Sequence, residues 1–379
     1  MKIGFVSPYD FLSPGGVNRH IIGLSEELTR KGHSVKIIGI ASGKFKLQTE
    51  VEFINLGNSL PFSYGGTTSN ISLSPLILLK IKNVFKKYHF DVIHIHEPLA
   101  PLVSLGALFF CKSPVVATFH ASSKNVFRYK VISKIFKNLI ENKIYQKIAV
   151  SKEALRTASE YIPGKFEIIP NGIDHSHFSK LDNITKFNFG KQKKNILFFG
   201  RNEPRKGISI LLKAFSILRL KGKNFRLILA GPDTDKINIS EYLDYRFLED
   251  VICVGEVDYN LLPKYFYSSD CFCSPAIGNE SFGIVILEAM ASSLPVVVSD
   301  ISGYNELIID GERGVLFKKE NSEDLAVKLD KVLGNSNYSE KLIKEGNIFS
   351  KKHDWKNLVE LILNKYEEVV FRKGNKNEY

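Results

Sequence analysis

A chain of 379 residues, 44% hydrophobic and 24% charged, exceeds the size at which a single core stops growing, so two domains are expected. No run of about 18 apolar residues occurs and the start lacks the pattern of a secretory signal, which excludes a helical membrane span and predicts a cytoplasmic protein. The net charge of +12 calls for an anionic partner, while Cys111, Cys253, Cys271 and Cys273 stand apart from histidines at metal-ligand spacing and read as reduced core residues.

The first strand-like run, Ile3 to Val6, is followed by Pro14-Gly15-Gly16-Val17 and a helical pattern from Asn18 to Arg30. Paired glycines there let backbone N–H groups approach a phosphate at the positive end of the helix; a plain turn is the competing reading. Further runs at Val35 to Ile40, Val92 to Ile95, Val115 to Phe119, Ile148 to Val150 and Phe166 to Ile169 are continuously apolar, the signature of a parallel sheet covered on both faces. Two of them end in histidine, at His96-Glu97-Pro98 and at His120, where an imidazole can reach a ligand. Between Phe53 and Ile140 only Asp91 and Glu97 are acidic. Within that stretch Leu76 to His89 reads as an amphipathic helix, with Ile77, Ile81, Val84, Phe85 and Tyr88 at helical spacing and Lys80, Lys82, Lys86 and Lys87 beside them. Such a helix suits an anionic membrane surface, the alternative being an ordinary domain helix with a wet basic face.

After Pro170-Asn171-Gly172 and a polar stretch from Ser179 to Lys194, the pattern begins again with Ile196 to Phe199, Leu227 to Ala230, Val251 to Val254, Cys271 to Ser274, Val296 to Val298 and Gly314 to Phe317. The expected class is therefore α/β, with doubly wound domains over residues 1–172 and 173–352. A last helical pattern, about residues 353–375, can pack on either domain and is placed with the first. Ligands of such folds bind at the carboxyl ends of the strands, which here point to a cleft between the domains.

The chemistry-bearing loops of the second half follow its strands. Gly200-Arg201-Asn202-Glu203-Pro204-Arg205-Lys206-Gly207 puts three cations between a strand and a helix, which suits a diphosphate. Gly278-Asn279-Glu280-Ser281-Phe282-Gly283 precedes the apolar helix Ile284 to Ala291, and Glu288 within that helix needs a partner, either sugar hydroxyls or a basic side chain. Asp233-Thr234-Asp235 follows Gly231-Pro232 and reads as turn chemistry rather than a metal site.

Taken in order, these motifs resemble glycosyltransferase family 4, retaining enzymes of the GT-B fold, over essentially the whole chain. Glu280 and Glu288 match the family's EX7E element. Ser7-Pro8-Tyr9, Pro14-Gly15-Gly16-Val17, His94-Ile95-His96-Glu97-Pro98, Ala117-Thr118-Phe119-His120, Glu203-Pro204-Arg205-Lys206-Gly207 and Glu280-Ser281-Phe282-Gly283-Ile284-Val285 resemble its phosphatidylinositol mannosyltransferase subgroup. The resemblance implies Gly16, Arg201, Arg205 and Lys206 at the donor diphosphate and His120 at the transferred sugar. It implies Glu280 at the sugar hydroxyls, aided by the backbone of Ser281, Phe282, Gly283 and Ile284, with Glu288 at the ribose and Val257 and Asp258 at the base. His120, Arg201, Lys206 and Glu280 would carry catalysis, and Tyr9, Asn18, Tyr64 and Asn70 fall at the acceptor positions, Asn70 where the subgroup has arginine. The implied reaction moves a hexose, mannose from GDP-mannose, to a membrane lipid such as phosphatidylinositol, peripherally on the cytoplasmic face, with no required cofactor and Mg2+ only as a companion of the diphosphate. The alternatives are a UDP-sugar with another glycan or lipid acceptor, or a GT-B nucleotide-sugar epimerase. No aromatic-rich basic motif points to nucleic acid.

Overall fold

Runs of Val, Ile and Phe leave a strand no wet face, and both halves of the chain stack such runs in parallel. The computed structural model describes residues 1–379 except 14, 44–46, 48, 65–66, 124, 181–184, 190–192 and 377–379, and only the backbone of 62–64, 67–69 and 376. The chain forms two compact units, Met1–Gly172 with Trp355–Tyr379, and Ile173–Asp354.

The first unit holds β1 (Lys2–Asp10), β2 (Ser34–Ile40), β3 (Glu52–Asn55), β4 (Leu60–Tyr64), β5 (Thr67–Ile71), β6 (Val92–His96), β7 (Val115–Phe119), β8 (Ile144–Ala149) and β9 (Glu167–Ile168). Seven of these form a parallel sheet in the order β3-β2-β1-β6-β7-β8-β9, while β4 and β5 pair as an antiparallel hairpin that touches β1 where Tyr9 meets Ile71. The chain winds outward from β1 to β3 and then returns to β6, so the switch point of the sheet lies between β1 and β6. The second unit repeats the plan with β10 (Lys194–Phe199), β11 (Phe225–Ala230), β12 (Val251–Gly255), β13 (Cys271–Ser274), β14 (Val296–Ser299) and β15 (Val315–Phe317), in the order β12-β11-β10-β13-β14-β15. Its switch point lies between β10 and β13, the two strands that the glutamate- and arginine-bearing loops follow.

Three strands escaped the sequence reading. Of these, β3 is a four-residue edge strand, β4 (Leu-Pro-Phe-Ser-Tyr) carries a proline and a serine among its apolar residues, and β5 (Thr-Thr-Ser-Asn-Ile) is mostly polar, so no Val/Ile run announces them. β8 begins earlier than its apolar run, because Gln146 and Lys147 interrupt the pattern without interrupting the ladder. Cys111, Cys271 and Cys273 are buried, Cys253 is partly so, and all four are free thiols.

The last helix, Trp355–Lys376, belongs to the first unit. Trp355, Val359, Ile362 and Tyr366 enter the same core as Ile3, Phe5, Ile21 and Ile37. The indole lies so close to the backbone that a Cβ at Gly23 would fall 2.3 Å from its Nε1 and one at Gly172 would fall 2.5 Å from its Cδ2.

Helix Leu76–Lys87 corrects the membrane reading of its apolar stripe. Ile77, Ile81 and Val84 are buried in the core of the unit, so that face is already covered by protein. What faces outward is Lys80, Lys82, Lys86 and Lys87 together with Leu76 and Leu79, both more than 60% exposed. Helix Phe127–Ile135 shows the opposite arrangement. It buries no residue, and Phe127, Val131 and Ile135 line one exposed stripe at intervals of four beside Arg128, Lys130 and Lys134.

Replacing Trp355 by alanine is expected to cost about 3–5 kcal/mol, because neither glycine seat can fill the space left. Urea unfolding followed by circular dichroism checks this; a change below about 1 kcal/mol contradicts the packing described.

Candidate active site

In the second unit the loops beyond β10, β11 and β12 are tied to one another through the backbone. Asn202 N–H donates to Pro232 O at 2.9 Å and Gly231 N–H to Gly255 O at 2.7 Å. The loop after β13 joins them where Ile277 N–H donates to Arg205 O at 2.8 Å. Gly207 closes the turn after β10 with φ +70°, and a Cβ there would lie 2.0 Å from Pro275 O, so only glycine lets the two loops meet.

These loops assemble a charge cluster. Glu280 Oε1 accepts from Arg205 at 2.5 Å and from Lys206 at 2.6 Å, Arg205 also pairs with Glu203 at 2.8 Å, and Arg201 approaches Glu203 at 3.7 Å. Burial alone would push the Glu280 carboxyl up, but Lys206 and Arg205 outweigh it and hold the carboxyl below its usual range. For Arg205, burial works against the charge and Glu280 and Glu203 outweigh it. Three cations and two carboxylates leave a net charge of +1, a smaller field than three cations in isolation would make. Glu203 has no assigned role in the sequence reading, yet it takes half of the compensation. Glu280 Oε2 has no partner among the described residues.

Gly303, also unremarked in the sequence, backs this carboxylate. A Cβ on it would fall 1.8 Å from Glu280 O, so its hydrogen is what lets the glutamate loop sit down on the segment after β14. Glu288 lies inside helix Ile284–Ala291 at 1% exposure, Phe282 is buried, and Ser281, Gly283 and Ile284 are partly exposed around the helix start. Val257 packs on the core of the unit, and Asp258 caps the next turn by accepting Asn260 N–H at 2.8 Å. In Asp233-Thr234-Asp235 the threonine is buried, donating to Leu229 O and Gly231 O, while Asp233 pairs with Lys236 in the open, which is turn chemistry.

In the first unit β6, the end of β7 and helix Gly16–Arg30 bring four histidines into the core: His94 and His96, His120, and His20 are each no more than 7% exposed. His96 Nδ1 lies 2.8 Å from His120 Nε2, and His20 Nδ1 donates to Asn171 Oδ1 at 2.7 Å. His94 bridges Tyr366 Oη and Thr118 Oγ1. Glu97 follows β6 in the left-handed region, φ 49°, and its Oε1 accepts the backbone N–H groups of His120 and Ala121 at 2.6 and 2.8 Å. The glutamate thus fastens the loop that carries His120, and burial raises its carboxyl to about 7 despite those bonds.

The ring nitrogens of His20, His96 and His120 come within 4.8 Å of one another. A tetrahedral zinc, bound at about 2.0–2.1 Å to each, holds three nitrogens about 3.3 Å apart. In the folded arrangement the closest pair instead shares a proton.

Of the residues implied at the acceptor, Asn18 is buried and spends its carboxamide within the fold, accepting from Ser7 Oγ and donating to Asp10 O. Asn70 donates to Ser13 Oγ at 2.6 Å, and Tyr9 lies alongside with its hydroxyl raised well above 10 by burial and by Glu97. The side chain of Tyr64, and Pro14, lie outside the described residues. Gly16 opens helix Gly16–Arg30, whose first turn has neither a side-chain cap nor an acidic residue.

The profile of glycosyltransferase family 4 matches residues 14–177, and that of glycosyl transferases group 1 matches residues 179–349. Over 371 residues, 98% of this chain and 97% of the other, the sequence is 33% identical to the phosphatidyl-myo-inositol mannosyltransferase of Mycobacterium leprae. The chain belongs to glycosyltransferase family 4. It is 31% identical to the protein of the same name from Propionibacterium freudenreichii, over 94% of this chain and 92% of that one. Solved structures share the fold: HepE of Anabaena with UDP and glucose superposes with a TM-score of 0.76 at 21% identity, covering 97% of this chain and 99% of that one. Sucrose-phosphate synthase of Thermosynechococcus elongatus gives 0.77 at 20%, over 97% and 98%. The architecture is GT-B, and the protein is a hexosyltransferase.

Burial sets how this family 4 chain responds to acid. It lowers His20 from 6.5 to about 4 and drives His94, His96 and His120 well below 6.5. Between those values the unfolded chain binds more protons, so the stability the histidines contribute is complete above pH 6.5 and lost as the pH falls, about 3 kcal/mol for His20 alone across its window. Glu97 acts in the other direction, losing its contribution as the pH rises from 4.5 to about 7. With four groups against one, unfolding free energy in urea should drop steeply between pH 6.5 and 5. A flat profile over that range contradicts the buried neutral imidazoles.

Proposed function

We propose that this glycosyltransferase is a retaining mannosyltransferase that moves mannose from GDP-mannose to a phosphatidylinositol-type lipid at a membrane surface. The observation that carries the donor half is the meeting of Arg205 and Lys206 on Glu280 at the carboxyl end of the second sheet. A diphosphate leaving group gathers charge as the glycosidic bond breaks, and fixed cations with a net positive field answer that charge without reorganising. In this reading Arg201, Arg205 and Lys206 meet the phosphates, with the backbone of Gly16 at its helix start adding N–H groups. Glu280 turns its unpartnered Oε2 to sugar hydroxyls, supported by the backbone of Ser281 to Ile284. Glu288 takes the ribose, and Val257 and Asp258 flank the base. His120 contacts the transferred hexose. No side chain serves as nucleophile, and the configuration at the anomeric carbon is retained by attack on the face from which the phosphate departs.

Mannose and the lipid acceptor come from the relatives, which are named as phosphatidyl-myo-inositol mannosyltransferases along nearly their whole length. Asn70, Tyr9, Tyr64 and Asn18 border the acceptor, and Asn70, neutral where the subgroup has arginine, leaves the inositol phosphate to other donors. In this reading attachment is peripheral; among the described residues no helix is long and apolar enough to cross a membrane. The outward lysines of helix Leu76–Lys87 and the apolar stripe Phe127, Val131, Ile135 with its cations supply charge and insertion. The chemistry needs no resident metal, and Mg2+ at most accompanies the nucleotide.

The protein is incubated with labelled GDP- and UDP-hexoses, with and without phosphatidylinositol vesicles and with EDTA. Label from GDP-mannose is expected in lipid, with retained configuration and with EDTA having little effect. Lys206→Ala should lower kcat about 10²–10³-fold. Transfer from UDP-sugars alone overturns the donor, and transfer only to a soluble glycan overturns the acceptor. A Lys206→Ala variant as fast as the parent overturns the phosphate site.

A further inference from the structure

His120 has one nitrogen inside the protein and one at its edge. Nε2 is 2.8 Å from His96 Nδ1, whereas Nδ1 has no partner among the described residues and is not enclosed. A neutral imidazole carries a single N–H, so whichever ring donates across the 2.8 Å contact decides what His120 shows to the outside. Both rings are neutral at physiological pH because burial penalises their charged forms.

The other end of His96 settles the direction. Its Nε2 is buried with no hydrogen-bond partner. A proton placed there would strand an N–H in the core, the orphan that folded proteins avoid most strictly. With the proton on Nδ1 instead, His96 donates to His120, and only a lone pair is left behind.

We propose that His96 is a positioning residue that donates from Nδ1 to His120 Nε2 and so locks His120 as the Nδ1–H tautomer, giving the site a fixed hydrogen-bond donor aimed outward. The ligand chemistry this selects is an acceptor oxygen, a hexose hydroxyl or ring oxygen or a phosphoryl oxygen, and its use on the transferred sugar rests on the function proposed above. The ring plane is set as well: His120 stacks on His96 at 5.1 Å and 29°, and meets His20 edge-on at 4.9 Å and 85°. His20 is itself held by Asn171 and by Trp355, edge-on at 4.8 Å and 88°. Three of the supports of one catalytic imidazole, Asn171, His20 and Trp355, therefore come from chain segments far apart in sequence.

The tautomer can be read without substrate. Full-length protein labelled with 15N-histidine is examined by long-range 1H–15N correlation near pH 7.5, with His120→Gln identifying the His120 signals. The expected pattern has the His120 proton on Nδ1. In His96→Phe the proton should redistribute to Nε2, with kcat falling on the order of tenfold or more and KM for the donor changing little, since a misplaced tautomer can cost up to about 10⁴. His96→Gln, whose carboxamide N–H can still donate, should recover most of the rate. A His120 proton on Nε2 in the parent protein overturns the proposal even if His96→Phe fails to fold. So does His96→Phe with an unchanged tautomer and rate. Absence of transfer by the parent protein defeats the functional reading alone, because the tautomer is decided by the substrate-free spectra.

Discussion

The carboxylate of Glu280 between Arg205 and Lys206 is the interaction on which the loop assembly of the second unit depends. Two cations on adjacent residues, both mostly buried, would repel each other and resist desolvation if nothing answered them. Glu280 answers both through one oxygen, and Glu203 pairs with Arg205 as well. The same contact ties the loop after β10 to the loop after β13, the pair that flanks the switch point of the sheet. Electrostatics and topology thus fix one another. The doubly wound order brings the loops together, and the ion pairs keep them there.

The first unit solves the opposite problem. Its histidines are buried without carboxylate partners and stay neutral, so their value lies in directed hydrogen bonds rather than in charge. Glu97 is drawn into this neutral environment and is half-protonated near pH 7, its carboxylate serving backbone N–H groups of the His120 loop. The second unit thus holds compensated charge, and the first holds neutral, buried imidazoles.

Much of this was legible in the residues. Parallel strands announced themselves as apolar runs, and the loops after Phe199 and Ser274 showed their cations and glutamates directly. What stayed hidden came from residues whose meaning lies in a distant neighbour. Glu203 looked like one more loop residue, Gly303 had no motif around it, and the seat of Trp355 depends on Gly23 and Gly172, remote in sequence from it and from each other. The apolar stripe of helix Leu76–Lys87 was read for the wrong surface because amphipathicity reveals that a face is covered, not what covers it. The pattern of Phe127–Ile135 is weaker, yet its stripe is the one the fold leaves open.

The central claim is that Glu280 sets the charge of the proposed phosphate site through Lys206 and Arg205, and a double-mutant cycle on GDP affinity tests it most directly. Titration calorimetry on the parent protein, Glu280→Gln, Lys206→Ala and the double variant gives the coupling. The account predicts that losing Lys206 weakens GDP binding about tenfold less once Glu280 has been neutralised, a coupling of about 1.4 kcal/mol. Effects that simply add, within about 0.5 kcal/mol, would show that the carboxylate and the lysine act independently and would contradict it.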